Sequence, residues 1–143
     1  MRETLFCAVI GVIGGVAMRF LGGWDYALRA LVILMIVDYI TGLIVAIFFK
    51  KSRKSKSGAL ESIAGFKGLI KKTVMLVMVL IAVQLDAIIG WEFMRHAVII
   101  ALISNELISI VENAGLMGVP IPETLRQAIG ILRKKEDSDT DEK

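Results

Sequence analysis

The chain has few of the residues from which disulfide frameworks and metal sites are built. It contains one cysteine and one histidine among 143 residues. A single cysteine cannot form a disulfide within the chain, and a histidine–cysteine metal site would need other ligands. We therefore expect no metal site and no bound cofactor.

The sequence also lacks the patterns that mark catalytic sites. We find no set of nucleophile and base, no metal-ligand spacing and no glycine-rich loop for phosphate. His96 is interpreted as a residue at a membrane interface. The chain is expected to be neither an enzyme nor a nucleic-acid-binding protein.

A third shortage is polar surface. Hydrophobic residues make up 56% of the chain, and its mean hydropathy is +0.72. A small domain buries a lower fraction of its surface than a large one, so this excess of apolar side chains needs lipid as its solvent. The N-terminal apolar segment, residues 5–17, has a weak positive flank and a poor cleavage site after Ala17, so we interpret it as retained.

Four apolar runs are long enough to cross a hydrocarbon core of about 30 Å at a rise of about 1.5 Å per residue. The sequence predicts an all-α integral membrane protein with about four transmembrane helices, or three if the first segment, which contains three glycines and Arg19, does not span. The predicted spans are residues 4–21, 26–49, 73–89 and 93–111.

Basic residues cluster on one side of these spans. The predicted cytoplasmic basic loop contributes Lys50, Lys51, Arg53, Lys54, Lys56, Lys67, Lys71 and Lys72. By the positive-inside rule, this loop and both termini are cytoplasmic. Lys71 and Lys72 are expected to snorkel at the start of the third span. The loop either attracts anionic lipid headgroups or acts only as a determinant of topology.

The segment after the fourth span changes character. Pro120 and Pro122 break the chain, and an amphipathic helix at about 123–135 is expected to lie on the inner interface. Residues 136–143 carry no apolar side chain and are predicted to be a disordered acidic tail. Residues 1–135 then form a single membrane domain.

Several polar residues fall inside the predicted spans. They are Asp38, Asp86, Asn105, Glu106, Ser109 and Glu112. The last four lie on one face of a helix, together with Asn113, and such groups are tolerated in lipid only when they face protein or water. They form either a polar seam within the bundle or a water-exposed face of an oligomer or pore. Asp86 is placed to contact Arg29 across helices, unless each of the two snorkels separately.

Small residues form two further stripes. Gly11 and Gly15 lie on one face of the first span, and Gly42 and Ala46 follow Asp38 on the second. Small residues let helices approach closely in lipid. These four are candidates for helix packing, within one chain or between chains.

Motifs in a fixed order carry a family resemblance. They are DYITGL at 38–43, GFKGLIKK at 65–72, LD at 85–86 and NELISIVENAGLMGVPIPETLRQAI at 105–129. Together they resemble the toxin secretion/phage lysis holin family of Gram-positive bacteria and their phages. The likeness runs from about the second span to the interfacial helix.

The resemblance implies a protein that forms homo-oligomers in the bacterial cytoplasmic membrane, among membrane lipids, and opens large lesions. Its functional partner would be an endolysin released during host cell lysis, or a large exported toxin. The alternative is a subunit of a small-ion channel or transporter that uses Asp38, Asp86 and Glu106 as ion or proton sites.

Overall fold

The structure, a computed structural model, describes residues 1–50, 62–128, 130 and 131. Within these ranges the regular structure is helical. The elements are α1 (Arg2–Phe20), α2 (Tyr26–Ile44) with a π-helical continuation (Val45–Phe49), α3 (Ser62–Ile89) and α4 (Met94–Leu116).

Each of these four helices, with the π-helical segment counted as part of α2, is long and apolar enough to cross a membrane. The predicted all-α membrane fold with four spans is confirmed. Residues 123–128, 130 and 131 are also helical, within the predicted interfacial helix. Lys51, Arg53, Lys54 and Lys56 of the basic loop, and the tail at 136–143, lie outside the described residues.

Two short turns set the direction of the bundle. Between α1 and α2, Gly22 and Gly23 adopt φ values of 81° and 99°, where a side chain would be strained. Asp25 then caps α2, because its Oδ1 accepts a hydrogen bond from the Leu28 N–H at 2.9 Å. Gly90, with φ of 77°, makes the corresponding turn between α3 and α4. We call this end of the bundle the turn end; α2 and α4 both run away from it.

The core lies on the faces that α2, α3 and α4 turn towards one another. Helix α4 packs against both α2 and α3, whereas α2 and α3 contact each other much less. The buried residues recur every three or four positions, which places them on one side of each helix. The apolar core consists of Leu28, Leu31, Met35, Met75, Val79, Ile99 and Leu102.

Helix α1 is packed differently. None of the residues of α1 is buried. In this part of the chain, the core is contacted by Met18, near the end of α1, and by Leu21, just beyond it. Apart from the backbone of α1 itself, none of the described residues comes within 4 Å of the space that a Cβ would occupy at Gly11 or Gly15. In a membrane, nearly the whole surface of α1 is therefore available to lipid or to another chain.

The third span begins earlier than the sequence predicts. The expected start is residue 73, but α3 starts at Ser62 and its apolar, membrane-length part at Gly65. Lys67, Lys71 and Lys72 are thus helical residues rather than loop residues. A span prediction stops at adjacent lysines because each is costly in lipid, but Lys72 has partners on other helices that reduce this cost.

Candidate functional site

Three helices bring oppositely charged side chains together inside the bundle. The Lys72 Nζ on α3 lies 2.8 Å from Asp38 Oδ2 on α2 and 2.5 Å from Glu106 Oε2 on α4. The exposed fractions of the three side chains are 11%, 4% and 3%. We call Asp38, Lys72 and Glu106 the inner triad.

The inner triad lies deep in the bundle. Asp38 is twelve residues from Tyr26 at the start of α2, and Glu106 is twelve residues from Met94 at the start of α4. At 1.5 Å per residue, both carboxylates lie roughly 18 Å from the turn end. Because α2 and α4 run in the same direction, the two carboxylates reach the same depth, and α3 supplies the ammonium between them.

An amide extends the triad along α4. The Asn113 Nδ2 donates to Asp38 Oδ1 at 3.2 Å and to Thr41 Oγ1 at 3.0 Å. Thr41 Oγ1 in turn donates to the Asp38 carbonyl at 3.1 Å. Asp38 is therefore held by contacts from both α3 and α4.

Each charged side chain of the inner triad lowers the free-energy cost of burying the other two. A single charged side chain at the centre of a membrane helix costs about 3 kcal/mol on insertion scales. Pairing in good geometry offsets this cost, whereas removing one partner from a buried ion pair costs about 3 to 5 kcal/mol. The arrangement is stable only while α2, α3 and α4 keep their relative positions.

The predicted polar stripe of α4 is divided by the packing. Glu106 and Asn113 are buried, whereas Asn105, Ser109 and Glu112 are half-buried. Residues one or three positions from Glu106 point partly away from the α2–α3 side. The structure thus brings Glu106 and Asn113 to Asp38 and leaves the remaining three stripe residues half-buried.

A second polar group joins the turns at the turn end. Arg95, at the start of α4, is 7% exposed. Its guanidinium donates to the Leu21 carbonyl at 2.7 Å, the Gly23 carbonyl at 3.1 Å and Asp25 Oδ2 at 2.5 Å. A Cβ at Gly22 would lie 2.7 Å from Arg95 Nε, so the turn requires glycine for its space as well as its φ.

The carboxyl of Asp25 is acidified by this contact. The hydrogen bond from Arg95 lowers the pKa of Asp25 from 3.8 to about 2, against an opposing effect of burial, and the Leu28 N–H adds to the lowering. A carboxylate that accepts charged and backbone donors is stabilised in its ionised form. Asp25 therefore stays ionised over the ordinary pH range.

Asp86 takes a role that its position in the sequence did not reveal. Its two carboxylate oxygens accept hydrogen bonds from the N–H groups of Met94 and Arg95, at 2.9 and 2.8 Å. These N–H groups belong to the first turn of α4, which has no partners for them within the helix. We call Arg95, Asp25 and Asp86 the turn-end clasp.

The contact between Arg29 and Asp86, one of two arrangements left open by the sequence, is not formed. The Arg29 guanidinium instead lies over the ring of Tyr26, 4.9 Å from its centroid. Such a cation–π contact keeps the charge at the edge of the bundle. The carboxylate oxygens of Asp86 instead accept hydrogen bonds from the N–H groups at the start of α4.

The small residues of α2 lie against the bundle, unlike those of α1. Ala46 is buried and Gly42 is half-buried. Gly11 and Gly15 of α1 are exposed. Close approach within the described chain therefore involves the α2 stripe, and the α1 stripe faces outward.

Sequence reasoning missed two residues that organise the polar contacts. The charge pattern places Lys72 in the basic loop, although it falls on the same helical face as the buried Met75 and Val79, at spacings of three and seven residues. Arg95 has no part in the patterns that the sequence shows. The 3–4 spacing could have identified Lys72; the partners of Arg95 are mostly backbone carbonyls, which leave no residue-type signal.

Four membrane-length helices, three of them joined by buried charges, define a small multi-pass membrane protein. The model of the bacteriophage holin family matches residues 15–134. The chain belongs to this family. The family resemblance inferred from its motifs is confirmed.

Relatives extend over nearly the whole chain. An uncharacterized protein of Clostridium perfringens is 39% identical over 94% of this chain and 97% of its own length. A 14.9 kDa protein of the same species, described by its position in the nagH 3′ region, is 42% identical over 80% of this chain and 83% of its own.

A third relative has a functional name. It is a probable holin of Bacillus phage phi105, 28% identical over 88% of each chain. No solved structure matches the sequence.

Proposed function

We propose that the protein is a holin, which assembles as a homo-oligomer in the bacterial cytoplasmic membrane and opens lesions wide enough for a folded protein. The passenger is an endolysin or a large toxin. Family membership supports this function, and the inner triad is the observation that gives it a mechanism.

In the proposed closed state, Asp38, Lys72 and Glu106 are satisfied by one another and hidden from lipid. Their burial carries a desolvation cost that water would remove. If α2, α3 and α4 separate as copies assemble, the same side chains become a hydrophilic lining. The inner triad thus holds the bundle closed and wets the lesion once the bundle opens.

The direct test is co-expression with an endolysin that has no signal sequence. Abrupt lysis that requires both proteins supports the holin. A protein that reaches the membrane at normal abundance and never releases the endolysin is not a holin.

The buried ionisable residues also favour a second candidate function, that of a small-ion channel or transporter subunit. The same co-expression experiment distinguishes it from a holin. Ion conduction predicts loss of membrane potential while the endolysin and other folded proteins stay inside. Lesions of the proposed kind release both ions and protein.

Orientation is part of the proposal, with both termini and the basic loop in the cytoplasm and the turn end outside. In a Cys7→Ala background, Glu92→Cys at the turn end should react with an impermeant thiol reagent added to intact cells. Lys50→Cys, which is also exposed but lies at the other end, should not. The reverse pattern before lysis contradicts the orientation.

A further inference from the structure

Two lysines of α3 point away from the inner triad. Lys67 and Lys71 are exposed, four residues apart, whereas Lys72 is buried. At about 100° per residue, Lys67 and Lys71 lie roughly 40° apart around the helix, and Lys67 lies roughly 140° from Lys72. Neighbouring lysines of the same helix therefore face two different environments.

Within the part of the chain that the structure describes, Lys67 and Lys71 have no anionic partner. Among the described residues, the ion pairs involve Lys72 and Arg95, and neither Lys67 nor Lys71 takes part in one. Like charges four residues apart on a helix repel each other. An anion placed between the two ammonium groups would replace this repulsion with two attractive contacts.

The depth of the pair matches the level of lipid headgroups. Lys67 lies nineteen residues before Asp86, which binds the start of α4 at the turn end. At 1.5 Å per residue this distance is roughly 28 Å, close to the thickness of a hydrocarbon core of about 30 Å. Lys67 therefore lies at the opposite boundary, and Lys71 is roughly 6 Å deeper, within reach of its flexible stem.

The same helix face becomes apolar towards the middle of the membrane. Val74, Met78 and Ile81 follow Lys71 on this face and are 51%, 48% and 52% exposed. A cationic end followed by an apolar stripe complements one kind of molecule in the membrane, an acidic headgroup joined to a hydrocarbon chain.

We propose that this face of α3 is a binding site for an anionic phospholipid. The ammonium groups of Lys67 and Lys71 hold the headgroup phosphate, and an acyl chain lies along Val74, Met78 and Ile81. The site stands whether or not the chain opens lesions, because it uses neither the inner triad nor an oligomer.

The experiment measures lipid retained by the purified protein in native mass spectrometry, after exposure to equal amounts of phosphatidylglycerol and phosphatidylcholine with identical acyl chains. The compared proteins are the parent, a double variant with Lys67→Gln and Lys71→Gln, and the matched control Lys50→Gln. Lys50 is also an exposed lysine at that end of the bundle.

We expect the parent and the Lys50 variant to prefer phosphatidylglycerol by about tenfold to thirtyfold, since each lysine near a membrane surface contributes about 1 kcal/mol. The preference should fall towards one in the double variant, with unchanged helix content. An unchanged preference in the double variant, or none in the parent, overturns the site. Displacement of the lipid by excess inorganic phosphate would assign the lysines to free phosphate instead.

Discussion

The inner triad and the turn-end clasp are both built around one cation and two carboxylates, yet they are satisfied in different ways. In the clasp, Arg95 donates to two backbone carbonyls as well as Asp25, and Asp86 accepts from backbone N–H groups. In the inner triad, Lys72 is held by side chains from two other helices. The clasp depends on local turns, and the triad depends on the positions of three helices.

Their surroundings differ as well. The Asp25 side chain is 40% exposed, whereas the Asp38 and Glu106 side chains are nearly inaccessible. Water can replace the contact that Asp25 makes, so this pair contributes less than a fully buried one, although the Arg95 side chain is itself only 8% exposed. In the triad no such replacement exists until the bundle opens. This difference makes the triad the better candidate for a switch and the clasp a stabiliser of the turns.

The largest expected effect is that of Lys72→Met. Asp38 and Glu106 would face each other without the ammonium between them, which should lower the free energy of unfolding by about 3 to 5 kcal/mol. Thermal unfolding of detergent-purified protein measures this, and lysis in co-expression should come early at matched membrane abundance.

The matched control is Lys71→Met, an exposed lysine one residue away, which should change stability by less than about 0.5 kcal/mol. Exchanging the charges, Lys72→Glu with Glu106→Lys, should recover part of the loss. If the Lys72 and Lys71 variants were equally stable, the prediction that the buried triad stabilises the fold more than an exposed lysine does would be wrong.

Glu106→Leu tests whether the triad also wets the lesion. Lys72 keeps Asp38 as a partner, and the cost of one buried carboxylate is gone, so the closed state should be favoured. The expected outcome is late or absent lysis, the opposite of the effect of Lys72→Met, measured as lysis time at matched membrane abundance.

Glu106→Gln sharpens this result. It keeps the shape and the hydrogen-bonding capacity, and should delay lysis less than leucine if wetting rather than charge is required. If Glu106→Leu only lowers the amount of protein and the remainder lyses on schedule, Glu106 is part of a structural seam alone.

Arg95→Gln should have a smaller effect, about 2 kcal/mol, because its ionic partner Asp25 is partly exposed and its other partners are neutral backbone carbonyls. Arg29→Gln is the control, since among the described residues it loses only the contact with the Tyr26 ring, about 0.5 to 1 kcal/mol at an exposed site. The comparison is made by thermal unfolding, with lysis timing expected to stay normal for both. Altered timing from Arg95→Gln at matched abundance would make the clasp part of the switch.

The smallest effect concerns pH. Because the pKa of Asp25 is lowered from 3.8 to about 2, its contribution to stability is fully present above about pH 4 and is lost as the pH falls through 2. The parent should therefore lose more stability than Asp25→Asn between pH 5 and pH 2, in thermal unfolding of the purified proteins. Parallel curves would show that the Arg95 contact does not stabilise the ionised form.

The sequence by itself determined that the protein lies in lipid, that it has three or four spans, and to which family it belongs. Long apolar runs have one stable environment, and the motifs in 105–129 are local patterns that need no tertiary structure to be read. The sequence also determined that Asp38 and Glu106 need a polar neighbour, because isolated charges are costly in lipid.

Only the tertiary structure decided which neighbour that is. Asp38, Lys72 and Glu106 are separated by thirty-four residues at each step, and their meeting depends on how α4 packs between α2 and α3. The same holds for Arg95, whose partners lie seventy or more residues away and are mostly backbone carbonyls. Helical periodicity predicts the helix face on which a residue lies. Which residues that face contacts depends on how the whole helices pack.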